Sequence, residues 1–239
     1  MKHYKILLTS ISIVIYSCSP KYYVPNTQNV PLLKAKGQTN LTLCGNTNQI
    51  EFQGAYGLSN HLGLMANGGF YVPKNLDNGN GGSGKLGEAG FGYFTPVNEH
   101  FIFETYGLFA AGSFENHLPS TVSSYPGTMG NISASISRIS IQPNFAYTSK
   151  YFSIAVSARF ASLNYSNIKG DLIFDNKNQI DYLRNDKSAI LFEPALTIRG
   201  GIEKVKLQLQ LLASNNLTDA TFKQDKSLVS LGLNFNFGK

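Results

Sequence analysis

Histidine is the first residue type to consider for catalysis, because its side chain can act as a general base near neutral pH. The chain has four histidines: His3 lies in the first five residues, and His61 and His100 fall at tight turns. Only His117 lies in a long polar connection, where the nearby candidate partners are Glu115, Ser120, Ser123 and Ser124. A general base must lie within hydrogen-bond reach of its nucleophile, and nearness in sequence does not establish that. We therefore expect no catalytic residues and a protein that is not an enzyme.

The sequence also offers little to bind a metal ion or a cofactor. Cys18 and Cys44 are the only cysteines, and no spacing of Cys, His and acidic residues resembles a zinc site. The glycine-rich run at 79–84 looks like a phosphate-binding loop, but no Lys-Ser or Lys-Thr pair follows it where such a loop needs one. We expect no metal-binding residues, no cofactor-binding residues and no cofactor.

The N-terminus predicts export from the cytoplasm. Two lysines precede an apolar run at 6–16, which is the layout of a secretory signal. The run is too short for a membrane-spanning helix, which takes about 20 residues. The residues Ile15-Tyr16-Ser17-Cys18 resemble the lipobox of bacterial lipoproteins, in which cleavage before Cys leaves an N-terminal Cys that carries acyl chains.

We accordingly assign residues 1–17 to a signal peptide and Cys18 to lipid attachment. Tyr16 departs from the lipobox pattern, so cleavage by an ordinary signal peptidase stays open. If Cys18 is acylated, Cys44 has no disulfide partner and is a free thiol.

Composition narrows the class of protein. Charged residues make up 14% of the chain, against about 25% in soluble domains, and an aromatic fraction of 12% is too high for a disordered chain. The formal charge of +6 is a weak excess without a run of like charges, so we expect no nucleic acid partner. An exported all-β protein or a transmembrane barrel remains.

Periodicity divides the rest of the chain in two. Residues 18–36, with Pro20, Pro25 and Pro31, predict a lipidated polar tether without regular structure. Residues 37–239 show no sustained helical period, whereas apolar and polar residues alternate repeatedly, most clearly at 205–211 and 229–237. We assign this second part to a β-barrel.

The lengths of the connections favour a transmembrane barrel over a sandwich. We predict ten strands, near 37–44, 49–57, 61–72, 85–95, 100–114, 131–147, 151–166, 188–200, 204–214 and 226–237. Tight turns near 60, 99, 150 and 203 alternate with long polar loops at 73–84, 115–130, 167–187 and 215–225. This asymmetry is typical of antiparallel up-and-down transmembrane barrels. The first strand is weakly anchored, so eight strands stay open.

Location follows from the same rule. Short turns of such barrels face the periplasm, so an even strand number predicts that both termini are periplasmic. The predicted location is the outer membrane, with the chain anchored by a lipid on Cys18 in the inner leaflet of that membrane.

The polar set of each alternating strand must face the lumen, because a charge on the lipid face costs about 2–4 kcal/mol near mid-bilayer. This predicts an internal cluster of four acids and four bases: Glu51, Glu88, Glu104, Glu193, Arg138, Arg159, Arg199 and Lys206. Such charges would tend to pair. A barrel of eight to ten strands is largely filled by side chains, so we favour a structural plug over a conduction path.

Two kinds of irregularity are expected in the strands. The apolar phase switches between Ile136 and Ile139, which predicts a bulge near Arg138. Pro143 and Pro194 each lack a ladder donor and predict local distortion.

Two segments carry a family resemblance. The last strand, with Leu231, Leu233, Phe235 and Phe237, resembles the C-terminal assembly signal of Gram-negative outer-membrane proteins, although Gly238-Lys239 follows its last aromatic residue. The segment Tyr23-Val24-Pro25-Asn26-Thr27-Gln28-Asn29-Val30-Pro31-Leu32-Leu33, with Lys36-Gly37 after it, is similar to the start of small outer-membrane β-barrel lipoproteins of Bacteroidetes-type bacteria. That resemblance implies no established biochemical activity.

The predicted function is a structural or accessory role of a non-enzymatic outer-membrane lipoprotein, as a subunit of a larger envelope complex. Its partners would be outer-membrane lipid and other envelope proteins. The main alternative is a barrel that transports a small ligand, or a surface-binding barrel whose loops at 73–84, 115–130 and 167–187 capture a ligand or a surface partner. A lipid-modifying enzyme that uses His117 is the third.

Overall fold

The alternating segments of the sequence fold into ten long antiparallel strands that close into a barrel. A computed structural model describes residues 20–75, 81–118 and 127–238. In chain order the elements are β1 (Thr39–Gly45), β2 (Gln49–Gly57), β3 (Leu62–Asn75), β4 (Gly81–Pro96), β5 (Phe101–Leu118), β6 (Gly130–Thr148), β7 (Phe152–Gly170), β8 (Ile173–Phe174), β9 (Lys177–Asn178), α1 (Gln179–Asn185), β10 (Ser188–Gly201), β11 (Val205–Ala213), β12 (Asn215–Asn216) and β13 (Ser227–Phe237).

Each long strand pairs with its neighbours in sequence, and the last strand pairs with the first. The closing ladder runs from Thr39 opposite Phe237 to Gly45 opposite Leu231. β8, β9 and β12 are two-residue strands outside this succession. The prediction of an all-β, up-and-down barrel with ten strands is confirmed, including the short first strand.

Four strands on one side of the barrel are longer than the alternation indicated. β4 to β7 have 16, 18, 19 and 19 residues, whereas about 10 suffice to cross a bilayer. They extend at the end that carries the long connections, which we call the long-loop end; the opposite end is the short-turn end. The predicted loop at 167–187 includes α1, which Asn178 caps by accepting hydrogen bonds from the backbone of Ile180 and Asp181. Within the described ranges, no helix is both long enough and apolar enough to cross a membrane.

The predicted bulge near Arg138 is wrong. Arg138 pairs regularly with Ala110 on β5 and Leu163 on β7, and the side chains of Ile132 and Arg138 are both buried on the inner face. The apolar phase switches because the surroundings change along the strand. Near the long-loop end the inside is apolar, whereas farther down the outside is apolar and Ile139 is 67% exposed. The register shift of this strand lies between Ser133 and Ser135.

Both strand prolines lie at gaps in the ladders, as their missing N–H predicts. The pairing of β6 with β7 passes from Ile141 to Asn144 without pairing Pro143. On one side of β10, Pro194 lies between the residues that pair with β11 and those that pair with β12.

The interior of the barrel has three layers. The long-loop end holds an apolar cluster that includes Leu163, Leu172 and Phe222. The middle is lined by buried charged and amide side chains. The short-turn end again holds apolar clusters, which include Ile102 and Phe94.

Candidate functional site

All eight charged residues of the predicted cluster are buried in the barrel. They are Glu51, Glu88, Glu104, Glu193, Arg138, Arg159, Arg199 and Lys206, and each is less than 9% exposed. Their strands alternate inward and outward residues, so that polar side chains on the inner face share one lumen. The lumen is therefore the most concentrated set of ionisable groups among the described residues.

Half of this cluster forms ion pairs. Arg138 donates to Glu88 at 2.6 Å, and Arg159 donates to Glu193 at 2.7 Å. Arg159 also lies 3.9 Å from Glu88, which links the two pairs. Buried pairs of this kind cost several kcal/mol when one partner is removed, because the other charge stays buried.

The remaining charges have other partners. Glu51 and Glu104 accept hydrogen bonds from the backbone of the N-terminal segment, at Thr27 and Leu33. The other two are bases: Arg199 donates to Gln208, and Lys206 donates to the backbone of Ser149 at the short-turn end. Only part of the expected acid–base pairing therefore forms, because some of the charged wall residues instead bind the backbone of a chain segment that lies inside the lumen.

That backbone belongs to residues 20–33, which run through the lumen. The sequence predicted a polar tether over residues 18–36, separate from the β-barrel; residues 20–33, which we call the plug, instead lie inside the barrel. Its side chains from Pro25 to Leu33 are all buried, and the chain becomes exposed again at Lys34. An isolated extended segment inside a barrel needs partners for its N–H and C=O groups, and the lumen wall supplies them.

The middle of the plug is held by polar side chains of the wall. The backbone N–H of Gln28 donates to the Gln210 amide oxygen at 2.7 Å, and the Gln210 amide nitrogen donates back to the Gln28 carbonyl at 2.9 Å. The Gln142 amide donates to the Asn29 carbonyl at 2.7 Å. Arg138 donates to the Asn26 side chain at 2.8 Å. Amide side chains thus take the place of a neighbouring strand.

Glu51 makes the most concentrated contact with the plug. Its Oε1 accepts from both the N–H and the hydroxyl of Thr27, at 3.0 and 2.8 Å, and also from the Gln49 amide. The free thiol of Cys44 is buried, and the Thr27 side chain of the plug lies beside it. Cys44 is thus a native thiol inside the lumen, covered by the plug.

Both ends of the plug match the apolar layers. At the long-loop end the Tyr22 ring lies 5.9 Å from Phe114 and 5.8 Å from Tyr182, between centroids, and its hydroxyl donates to Gln179 of α1. At the short-turn end Leu33 packs with Ala55 and Phe94. Along the plug, aromatic residues come first, then amide residues, then aliphatic residues. This order matches the layers of the lumen.

The two ends of the described chain lie at opposite ends of the barrel. Tyr22 donates from its backbone to Lys223, in the connection between β11 and β13 at the long-loop end. Gly238 lies against Gly37 and Gln38, at the short-turn end. The positions of these described residues do not support the prediction that both termini share the periplasmic side. Cys18 and the signal peptide lie outside the described residues.

The long-loop end carries one further cation among aromatic rings. Lys223 Nζ lies 4.6 Å from the Phe174 ring centroid and 5.0 Å from that of Tyr182, and donates to Gln179. Partial burial lowers the pKa of Lys223 to about 8, and the nearby charge of Lys177 acts in the same direction.

The described residues assemble no candidate reaction centre around the histidines. His61 and His100 lie at the short-turn end, where each ring contacts a backbone carbonyl. His117 lies on an exposed part of β5 with its ring against the Asn131 side chain. Its other candidate partners, Ser120, Ser123 and Ser124, lie outside the described residues. Within the described ranges, no group of three or more His, Cys, Asp or Glu is placed to hold a metal ion.

The outer wall of the barrel is apolar below the long-loop end. Large side chains there are strongly exposed, among them Phe91 at 72%, Leu207 at 69% and Leu231 at 67%. Soluble monomers rarely expose apolar surface over such a continuous area. The inward polar set and the outward apolar set thus exchange the usual roles of core and surface.

The plug is the feature that sequence reasoning missed. Its proline spacing predicted a segment without regular structure, and residues 20–33 indeed form no helix or strand. The informative signal was its apolar content: Tyr22, Tyr23, Val30, Leu32 and Leu33 are costly to leave in water, and a solvated tether has no need of them.

No protein-family model matches the sequence, and no curated protein matches it either. Solved structures that are similar include a KdgM porin, with a TM-score of 0.35 and 10% identity over 84% of this chain and 99% of that chain. LpxR from Salmonella typhimurium is similar with a TM-score of 0.34 and 9% identity over 85% of this chain and 100% of that chain. Likenesses of this degree carry no argument about the activity or ligand of this chain.

Proposed function

We propose that this chain is a non-enzymatic β-barrel lipoprotein of the Gram-negative outer membrane, with a structural or accessory role as a subunit of a larger envelope complex. The observation that carries the proposal is a lumen closed by the chain's own plug. The partners would be outer-membrane lipid and other envelope proteins.

The outer wall supports a membrane location. Strands of 9 residues or more surround most of the barrel, and their outward residues at mid-height are large and apolar. Such a band is what lipid selects, whereas charged residues are expelled to the lumen and the loops. The low charged fraction of the whole sequence has the same cause.

The plug supports a structural role over conduction. Glu193, a wall residue that a pore would need to leave accessible, is fully buried and accepts from Tyr23 of the plug as well as from Arg159. Charged groups that pair with one another and with internal backbone are satisfied in place. They are therefore poor binding sites for a solute that would pass through the lumen.

Liposome swelling tests this distinction. Full-length protein reconstituted in liposomes should pass small sugars no faster than empty liposomes, whereas a chain that lacks residues 20–33 should pass them if the barrel stays folded. Solute passage by the full-length protein that Glu104→Gln or Arg159→Gln abolishes would favour a transport barrel instead. Glu115→Gln, on the exposed outer side of β5, is the matched control.

A transport or ligand-binding barrel is the second candidate, and one observation favours it. The middle of the plug is held by side-chain hydrogen bonds and not by a continuous backbone ladder, so the plug can leave without unpairing any wall strand.

An accessory role makes a different prediction: mild detergent extraction from native membranes should co-purify a second envelope protein in a fixed ratio. Extraction of the barrel alone, with solute passage, would select the second candidate.

A further inference from the structure

The N-terminal end of the plug is held by residues of the long-loop end. At its N-terminal end the Lys21 carbonyl accepts from the Asn116 side chain at 2.9 Å, and the Tyr22 N–H donates to the Lys223 carbonyl at 2.8 Å. Asn116 lies two residues before the end of β5, and Lys223 lies in a long connection. The plug thus begins among the long loops.

The other end of the plug is fixed at the opposite mouth. Leu33 donates to Glu104 at 2.8 Å, and Gly37 then donates to Gly57, beside the tight turn that follows β2. From Tyr22 to Leu33 the extended chain can reach about 40 Å, more than the roughly 30 Å of a bilayer core. One passage of this segment therefore connects the two sides of the membrane.

The geometry points to an N-terminus displayed at the long-loop side, and in an outer-membrane barrel the long loops face the cell exterior. We propose that the plug carries the mature N-terminus across the membrane to the cell surface. Resting on the proposed function, this deepens it: Cys18 is joined to Pro20 by two peptide units, about 7 Å at full extension. A lipid on Cys18 would thus enter the outer, surface leaflet of the membrane and not the periplasmic one.

The aromatic end of the plug explains how this direction is kept. Tyr22 is wedged among Phe114, Tyr182 and Phe222, with ring centroids 5.8–6.3 Å apart. The Tyr165 hydroxyl also donates to the Tyr22 carbonyl at 3.0 Å. Withdrawal toward the short-turn end would pull two tyrosines from this apolar layer through the charged middle of the lumen, so the wedge holds the N-terminal end at the long-loop mouth.

Epitope tags in intact cells test the topology. The same short tag is inserted in three separate chains: between Ser19 and Pro20, within the connection 119–126, and between Glu203 and Lys204. We expect antibody to bind the first two tags on intact cells, and the third only after the outer membrane is permeabilised. If the tag before Pro20 behaves like the tag at Glu203, the proposal is overturned.

The design separates this proposal from the proposed function. If the tags at 119–126 and 203–204 are equally accessible on intact cells, the barrel does not span the membrane and the proposed function fails first. If those two differ and the tag before Pro20 is on the inner side, only the topology fails.

A cross-link checks that the tagged chain still has its plug in place. Gln28→Cys with Gln210→Cys, in a Cys44→Ser background, should be joined by a short bis-thiol reagent, because these residues exchange two hydrogen bonds. Gln28→Cys with Leu211→Cys should not be joined, since the neighbouring Leu211 faces outward. Absence of the first cross-link in the untagged chain also overturns the proposal.

Discussion

Replacement of Glu51 by alanine should release the plug locally, and the native thiol of Cys44 can report it. Glu51 Oε1 accepts two hydrogen bonds from Thr27 of the plug. Leaving a buried donor without a partner costs about 1–3 kcal/mol. Two such donors, one of them a hydroxyl that can rotate, give an expected loss of about 2–3 kcal/mol. This corresponds to a population of the state without the plug contact that is roughly 30- to 140-fold larger.

The assay is the rate at which a small, water-soluble thiol reagent modifies Cys44 in reconstituted membranes. In the wild type the thiol is buried behind Thr27, so modification must wait for opening and its rate follows the open fraction. Glu51→Ala should raise that rate by roughly 30- to 140-fold, in keeping with the same free energy. Cys44→Ser shows the labelling that occurs at any other site.

Glu51→Gln is the matched variant. Because Oε1 takes all three of the hydrogen bonds that the side chain accepts from the described residues, an amide oxygen at that position preserves them, and the rate should change only a few-fold. A chain lacking residues 20–33 sets the rate for an uncovered thiol. If that chain reacts quickly while Glu51→Ala reacts as slowly as wild type, the carboxylate does not hold the plug and the reasoning is refuted.

Three further predictions concern the wall and the loops. Glu193→Ala should destabilise the folded barrel by about 3–5 kcal/mol, because Arg159 is left buried without its 2.7 Å partner; the temperature at which the barrel unfolds in a denaturing gel should fall, and an unchanged temperature would contradict the pair's role. Gly92→Ala should impair folding, because a Cβ there would lie 2.1 Å from a neighbouring carbonyl, whereas Gly87→Ala on the same strand meets nothing closer than 3.9 Å and should leave heat-dependent mobility unchanged. The pKa of Lys223 is about 8 in the folded state, below its value of about 10.4 in the unfolded state. Between these pH values the unfolded state binds more protons, so wild type should gain stability over Lys223→Gln as pH rises from about 8 to 10. A difference in unfolding temperature that stays constant over this pH range would contradict this.

The fold could be predicted from the sequence because each wall strand has its own alternation of apolar and polar residues. A strand between lipid and lumen must alternate strictly, as Val205 to Leu211 do, and that period is visible without any tertiary knowledge. The eight lumen charges were readable for the same reason, since phase alone assigns a side chain to one face. Pairing partners such as Arg138 and Glu88 were not, because their strands are neighbours of neighbours around the barrel.

The misassigned bulge at Arg138 shows a limit of phase. Alternation reveals which residues share a face, but it does not reveal what that face contacts. Along β6 the inner residues change from Ile132 in an apolar layer to Arg138 in a charged one, and the pattern of hydrophobicity inverts while the backbone stays regular. A bulge and a change of surroundings give the same inversion of the pattern. To distinguish them, one must know how far along the barrel axis each residue lies.

By itself, the sequence determined the barrel, its ten strands, the long and short connections and the inward set of charges. These follow from local alternation and from the cost of placing charge in lipid. Only the tertiary structure decided where residues 20–33 lie, because an extended segment without periodicity finds its partners across the whole barrel, from Glu51 on β2 to Gln210 on β11. Its composition was compatible with a solvated tether and with a plug, and the closed, amide-lined lumen is what selects the plug.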